Sequence, residues 1–159
     1  MMNKDTYLRA VVILIIVLIL TACSSTPSEE AACLDDVDVD TMTTDTGVEF
    51  VRTPDACFKN LPDWPYDPQY VEIDGLRQAY VDVGSGESGK TILLLHGQPS
   101  WSYLYRDMIP VLADAGYRVI AMDHLGMGRS DKPIDVEEYS FLNHADRLAQ
   151  FIQELELED

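Results

Sequence analysis

Apolar residues change their spacing several times along this chain, and each change marks a different kind of segment. Ala10 to Leu20 is an unbroken apolar run. The next thirty or so positions are mostly Ser, Thr, Asp and Glu. From Val51 the composition becomes that of a folded domain, with Pro54, Pro62, Pro65 and Pro68 in an extended lead-in. Tyr70-Val71-Glu72-Ile73 and Leu76 to Val83 flank Asp74-Gly75, a two-residue hairpin signal. Gly84 to Gly89 reads as a loop. Thr91 to Leu95 is continuously apolar and predicts a strand covered on both faces. Leu104, Met108, Ile109, Val111 and Leu112 fall near one face of a helix spanning about Ser102 to Ala115. Pro110 lies inside that span, so the helix is either kinked or begins later, and Gly116 suits its C′ position. Arg118 to Met122 is the next strand. Ser140 is placed to cap a last helix carrying Leu142, Ala145, Leu148, Ala149, Ile152 and Leu155 at helical spacing. A β-hairpin followed by β-α-β-α gives the α/β class, with a mostly parallel sheet covered by helices. There is no internal repeat.

The opening run is too short to cross a bilayer, whose core of roughly 30 Å needs about 20 helical residues. Behind a basic start with Lys4 and Arg9 it reads instead as the apolar part of a signal peptide. Leu20-Thr21-Ala22-Cys23 resembles the lipobox of bacterial lipoproteins. That resemblance implies cleavage before Cys23, lipidation of its thiol and new amine, and a lipid anchor in the bacterial cell envelope, on the periplasmic face or in the outer membrane. The alternative is a plain secretory signal with an incidental cysteine. Ser24 to Phe50 carries eight acidic residues and no Lys or Arg, so it cannot bury enough apolar surface to offset its ordering entropy. The expected organisation is a signal peptide over 1–22, a disordered acidic tether over 23–50 and a folded domain over 51–159. Cys33 and Cys57 would then face an oxidising compartment, where they either pair or stay two unrelated thiols.

Charge narrows the partners. With 28 acidic residues against 11 Lys and Arg, the formal net charge is −17. A nucleic-acid partner demands a basic footprint, so none is expected, and electrostatic docking on anionic lipid is disfavoured for the same reason.

The candidate chemistry sits at the ends of the two central strands. Ile92 to Leu95 runs into His96-Gly97-Gln98-Pro99, a tight strand-to-helix turn whose backbone N–H groups can converge on an anion. Arg118 to Met122 runs into Asp123-His124-Leu125-Gly126-Met127-Gly128. His96 is read as a brace for its turn, and Asp123 as an acceptor for backbone N–H groups of the glycine loop. Gly126 and Gly128 are read as suppliers of unusual backbone angles. Trp101 either lines a cavity or packs. The loop lacks the spacing and lysine of a nucleotide cradle. His124 and His144 have no partner at metal-ligand spacing, so neither a metal nor another cofactor is expected.

Three stretches carry a family resemblance: V-R-T-P-D-A-C-F-K-N-L from Val51, H-G-Q-P-S-W-S-Y-L-Y-R from His96, and D-H-L-G-M-G-R-S-D-K-P from Asp123. Together they resemble the N-terminal half of an α/β-hydrolase, and within that superfamily a haloalkane dehalogenase. Epoxide hydrolases and serine esterases share the His-Gly-x-Pro turn and remain the alternatives. The resemblance implies that an Asp attacks the carbon bearing halogen, that halide departs, and that water activated by a His hydrolyses the resulting ester. Two backbone N–H groups hold the oxyanion, one of them supplied by Gln98. The Gln98 side chain either contacts halide or water, or plays no part. The implied partner is a small halogenated alkane. No G-x-S-x-G and no Asp-Trp-Gly elbow occurs in the 159 residues, and the acid and base of the family are also not among them. The fold is therefore expected to be incomplete in this chain, which is expected to be inactive and poorly folded by itself. A non-catalytic truncated lipoprotein is the remaining alternative.

Overall fold

A computed structural model describes Cys33 and residues 39–157. The signal peptide, Cys23 and most of the acidic tether lie outside the described residues. All elements named below fall within the unit Asp36–Asp159.

Among the described residues, seven strands form two sheets. β1 (Met42–Thr43), β2 (Glu49–Val51) and β7 (Lys132–Pro133) make a small antiparallel sheet in that order. β3 (Gln69–Ile73), β4 (Leu76–Val83), β5 (Thr91–Leu95) and β6 (Arg118–Met122) make the main sheet, ordered β3-β4-β6-β5. Asp74 and Gly75 both take positive φ, 51° and 75°, the geometry of a type I′ turn, and Ile73 therefore faces Leu76 across a two-residue hairpin. The sheet is mixed rather than mostly parallel. β4 meets β6 antiparallel, with Tyr80 opposite Met122, and only β5 and β6 run together, with Leu93 beside Ile120.

Central β6 is the most deeply covered strand, with Val119 to Met122 all at 0 % exposure. Its side chains alternate between two cores. Val119 and Ala121 join Val81, Trp64 and Ile109 on one face, where α1 (Met108–Asp114) packs. Ile120 and Met122 join Ile73, Tyr80 and Phe151 on the other, under α2 (Phe141–Glu154). β5 lies at one end of the strand order and is not covered on both faces as expected: Thr91 and Leu95 are exposed and Ile92 to Leu94 are half-buried.

Three further sequence expectations change. The helix expected from Ser102 divides into a 3₁₀ turn, Ser102–Tyr105, and α1. Starting at Met108 puts Pro110 in the first turn, where its missing N–H costs no hydrogen bond. The tether does not reach residue 50. Phe50, at 5 % exposure, packs with Leu76 and Leu125 against Met42 and Val48, so β1 and β2 belong to the folded part. Asp131, fully buried, fixes this small sheet by accepting from Arg52 Nε at 2.6 Å, Arg52 Nη2 at 3.0 Å and the Arg77 backbone at 2.8 Å. Finally, α2 is capped as expected, with Ser140 Oγ accepting from the Asn143 N–H at 3.2 Å. Its buried face is nevertheless centred on Arg147, Leu148 and Phe151, while Leu142 is exposed. Arg147 donates to the Ile73 carbonyl at 3.1 Å, which places a charged residue in the stripe that apolar spacing alone does not reveal.

Cys33 and Cys57 are both disulfide-bonded. Cys57 lies in the short 3₁₀ turn Asp55–Phe58 of the lead-in.

Candidate active site

Parallel strands β5 and β6 end side by side, so the segments that follow them emerge at the same edge of the sheet. After β5 the chain leaves regular structure at His96 to Ser100, and the Ser100 N–H closes the turn on the Gly97 carbonyl at 2.9 Å. The Gln98–Pro99 peptide is cis. Gln98 is exposed, and its backbone N–H meets no acceptor among the described residues. A free amide just beyond a strand end is a fixed dipole available to an incoming negative oxygen.

Neighbouring side chains hold this turn in place. His96 is buried, and its Nδ1 lies 3.1 Å from the Gly97 carbonyl while its Nε2 accepts the His124 N–H at 2.9 Å. Those contacts make Nδ1 the protonated nitrogen and leave His96 neutral and fully engaged. Asp123, 1 % exposed, accepts the Ser102 N–H on Oδ1 at 2.8 Å and the Arg129 N–H on Oδ2 at 2.9 Å. One carboxylate thus ties the segment after β5 to the glycine loop after β6. Ser130 continues the linkage, its hydroxyl donating to the Asp123 carbonyl and accepting the Ala79 N–H. The loop admits no side chain at two positions. A Cβ on Gly128 would come 2.3 Å from the Asp123 carboxylate, and one on Gly126 would come 2.2 Å from the Tyr139 ring.

The space beside the turn is a cavity of about 310 Å³ lined by Gln98, His124, Met127, Tyr139 and His144. His96, His124 and His144 form a column, with ring centres 4.7 Å and 5.8 Å apart and edges set toward faces. Burial, helped by the neighbouring imidazoles, pushes the His124 pKa down to about 4. Burial and then Arg147 lower that of His144. Tyr139 is pushed up by burial and donates its hydroxyl to the Pro133 carbonyl at 2.8 Å. Near neutral pH the wall is therefore uncharged, and Gln98, itself a lining residue, shares it with no cation. Among the described residues no three His, Cys, Asp or Glu side chains lie close enough to hold a metal ion. The cavity lining includes no Asp, Ser or Cys that could act as a nucleophile.

The structure brings together Gln98 and the residues supporting it, His96, Gly97, Pro99, Asp123, Gly126 and Gly128. Trp101 is not among the cavity-lining residues. It stacks on Tyr103 at 5.4 Å and packs edgewise on Phe58 and Trp64, the packing alternative of the two readings of this residue. Sequence reasoning missed Met127 and Tyr139 as lining residues, and weighed His124 and His144 only as metal ligands. The available signal was the position of His124 and Met127 directly after a strand, where side chains reach the same rim as the preceding turn.

Comparisons with known proteins fit this geometry. A family model described as "alpha/beta hydrolase fold" matches residues 90–159. A haloalkane dehalogenase of Mycobacterium marinum is 47 % identical over 115 residues, covering 69 % of this chain and 38 % of that protein. One from Psychrobacter cryohalolentis is 45 % identical over 115 residues, with the same two coverages, 69 % and 38 %. Among solved structures, the tetrameric haloalkane dehalogenase DpaA of Paraglaciecola agarilytica is similar with a TM-score of 0.67 and 50 % identity, over 70 % of this chain and 38 % of that one. The epoxide hydrolase VrEH1 of Vigna radiata is similar with a TM-score of 0.53 and 27 % identity, over 58 % of this chain and 28 % of that one. The chain thus has an incomplete α/β-hydrolase fold corresponding to the N-terminal part of that fold, and spans about 38 % of the length of the curated relatives it matches.

The low pKa of His124 has a consequence for stability. Unfolded, an imidazole takes its proton near pH 6.5, whereas the folded chain delays protonation to about pH 4. Between these values the unfolded state binds more protons, so His124 leaves stability intact above pH 6.5 and lowers it as pH falls toward 4. Urea midpoints measured across that range should fall more steeply for the unaltered chain than for His124→Leu; equal slopes would contradict the burial described.

Proposed function

We propose that the chain carries the oxyanion-binding half of a haloalkane dehalogenase site. In this reading an Asp ester formed by displacement of halide is opened by water, and the negative oxygen that develops is held by the Gln98 backbone N–H. The observation that carries it is that amide, unengaged shortly after β5 in a residue that lines a cavity with neutral walls. Identities of 45–50 % to haloalkane dehalogenases, against 27 % to an epoxide hydrolase, support halogenated alkanes as the substrate class. The main-chain group is the part that acts in this proposal, and the Gln98 side chain is dispensable.

A chimera tests this directly. The aligned segment of the Mycobacterium marinum relative is replaced by the matching segment of this chain, and halide release is followed with a bromoalkane. The chimera should release halide, while the 159-residue chain alone should release none. Within the chimera, Gln98→Ala should leave kcat nearly unchanged. Gln98→Pro, which deletes the N–H, should lower it by about 10²–10³-fold, the usual cost of losing one oxyanion donor. A chimera that opens epoxides or cleaves esters but releases no halide would sink the assignment.

We also propose that Cys23 is lipidated and anchors the protein in the cell envelope. The order of the apolar run, the small residues and Cys23 supports it, as do two disulfide-bonded cysteines, which suit an oxidising compartment. Labelled palmitate should be incorporated by the bacterially expressed chain and lost in Cys23→Ser. Equal labelling of both would remove the anchor.

A further inference from the structure

A second cavity, of about 440 Å³, opens on the lead-in side of the domain, with the aromatic rings of Phe58, Trp64, Tyr66 and Tyr70 in its wall. Its other prominent group is the Arg129 guanidinium. Several other arginines among the described residues find carboxylates, while Arg147 bonds the Ile73 carbonyl instead. Arg52 grips Asp131 with Nε at 2.6 Å, and Arg118 grips Asp82 with Nη2 at 2.7 Å. Arg129 finds none within ion-pairing distance among the described residues, although acids outnumber Lys and Arg by 28 to 11. Its side chain makes one hydrogen bond among the described residues, from Nη2 to the Phe58 carbonyl at 3.3 Å. Otherwise it lies over the rings of Phe58 and Trp101, with centroids at 5.0 Å and 5.7 Å. A guanidinium offers five donors in a fixed plane, so most of this fork is uncommitted. Tyr66 and Tyr70 likewise make no side-chain hydrogen bond among the described residues, and an exposed Lys59 adds a second cation.

We propose that this cavity is a binding site for a small organic monocarboxylate with a flat apolar body. The planar fork of Arg129 matches a carboxylate in two-point fashion, and the aromatic walls can bury a ring of the ligand beside it. Size is adequate, since cavities of roughly 300–1,000 Å³ are typical of small-molecule sites. Two exposed acids that also line it, Asp55 and Asp67, oppose a higher negative charge, which favours a single carboxylate over phosphate. The site shares no lining residue with the cavity beside Gln98, and it does not depend on the reaction proposed there.

Benzoate is the probe, with benzamidine as its cationic counterpart and inorganic phosphate as an anion lacking the ring. The full chain is titrated in zwitterionic detergent, with calorimetry and the fluorescence of Trp64 and Trp101 as readouts. Saturable benzoate binding is expected, weaker by at least about tenfold in Arg129→Gln, as loss of a charge-assisted pair requires. Lys59→Gln, an exposed change that should not disturb folding, is expected to weaken it by a smaller factor. Benzamidine and phosphate should bind far less. No saturation by benzoate up to about 10 mM, or equal binding of benzoate and benzamidine or of benzoate and phosphate, would overturn the proposal. So would a purely bracing role for Arg129, seen as a lowered Tm in Arg129→Gln with an unaltered benzoate titration in Lys59→Gln.

Discussion

Everything in this structure that bears on chemistry depends on the buried carboxylate of Asp123. Two strands running in parallel deliver two irregular segments to one edge of a sheet, and nothing in the strands themselves fixes how those segments sit together. Asp123 does so by accepting one backbone N–H from each, Ser102 on one side and Arg129 on the other. Removing it would leave two inward N–H groups unsatisfied, at a cost of roughly 1–3 kcal/mol each. Gly128 is the sequence's concession to this contact, because any side chain there would occupy the place of the carboxylate. His96 repeats the linkage one layer out, joining the turn to the His124 backbone.

A consequence of this arrangement is that the turn's own amide at Gln98 is left over. Further along, the Ser100 N–H closes the turn and the Ser102 N–H goes to Asp123. The facing wall is kept uncharged by burial of His124 and His144. A backbone dipole in such surroundings acts on developing charge more strongly than it would in water, and needs no rearrangement to do so. No Asp or Glu is among the residues lining this cavity, despite the strong acidity of the chain.

How much of this could be read from the residues varies with the physics involved. The hairpin at Asp74-Gly75 was legible because only that turn type demands two positive φ angles in a row. β5 and β6 were legible as strands from their apolar runs, but only β6 is buried on two faces, because β5 stands at the end of the strand order. The short strands at Met42 and Glu49 were not, since three scattered apolar residues in an acidic stretch signal nothing until Leu76 and Leu125 supply the other half of their core. The buried face of α2 was displaced in the reading because Arg147 stands in it, hydrogen-bonded to a strand carbonyl. The turn and its supporting residues were visible as a pattern. Tyr139 was not, because it reaches the cavity from a separate turn by packing against Gly126, a contact no local spacing encodes.

Amide hydrogen exchange is the most direct measure of whether the two loops are held as described. Asp123 and His96 engage the N–H groups of Ser102, Arg129 and His124, and leave that of Gln98 open. Slow exchange at Ser102, Arg129 and His124 together with fast exchange at Gln98 is the predicted result. Protection at Gln98, or exchange at Ser102 and Arg129 as rapid as at Gln98, would contradict it.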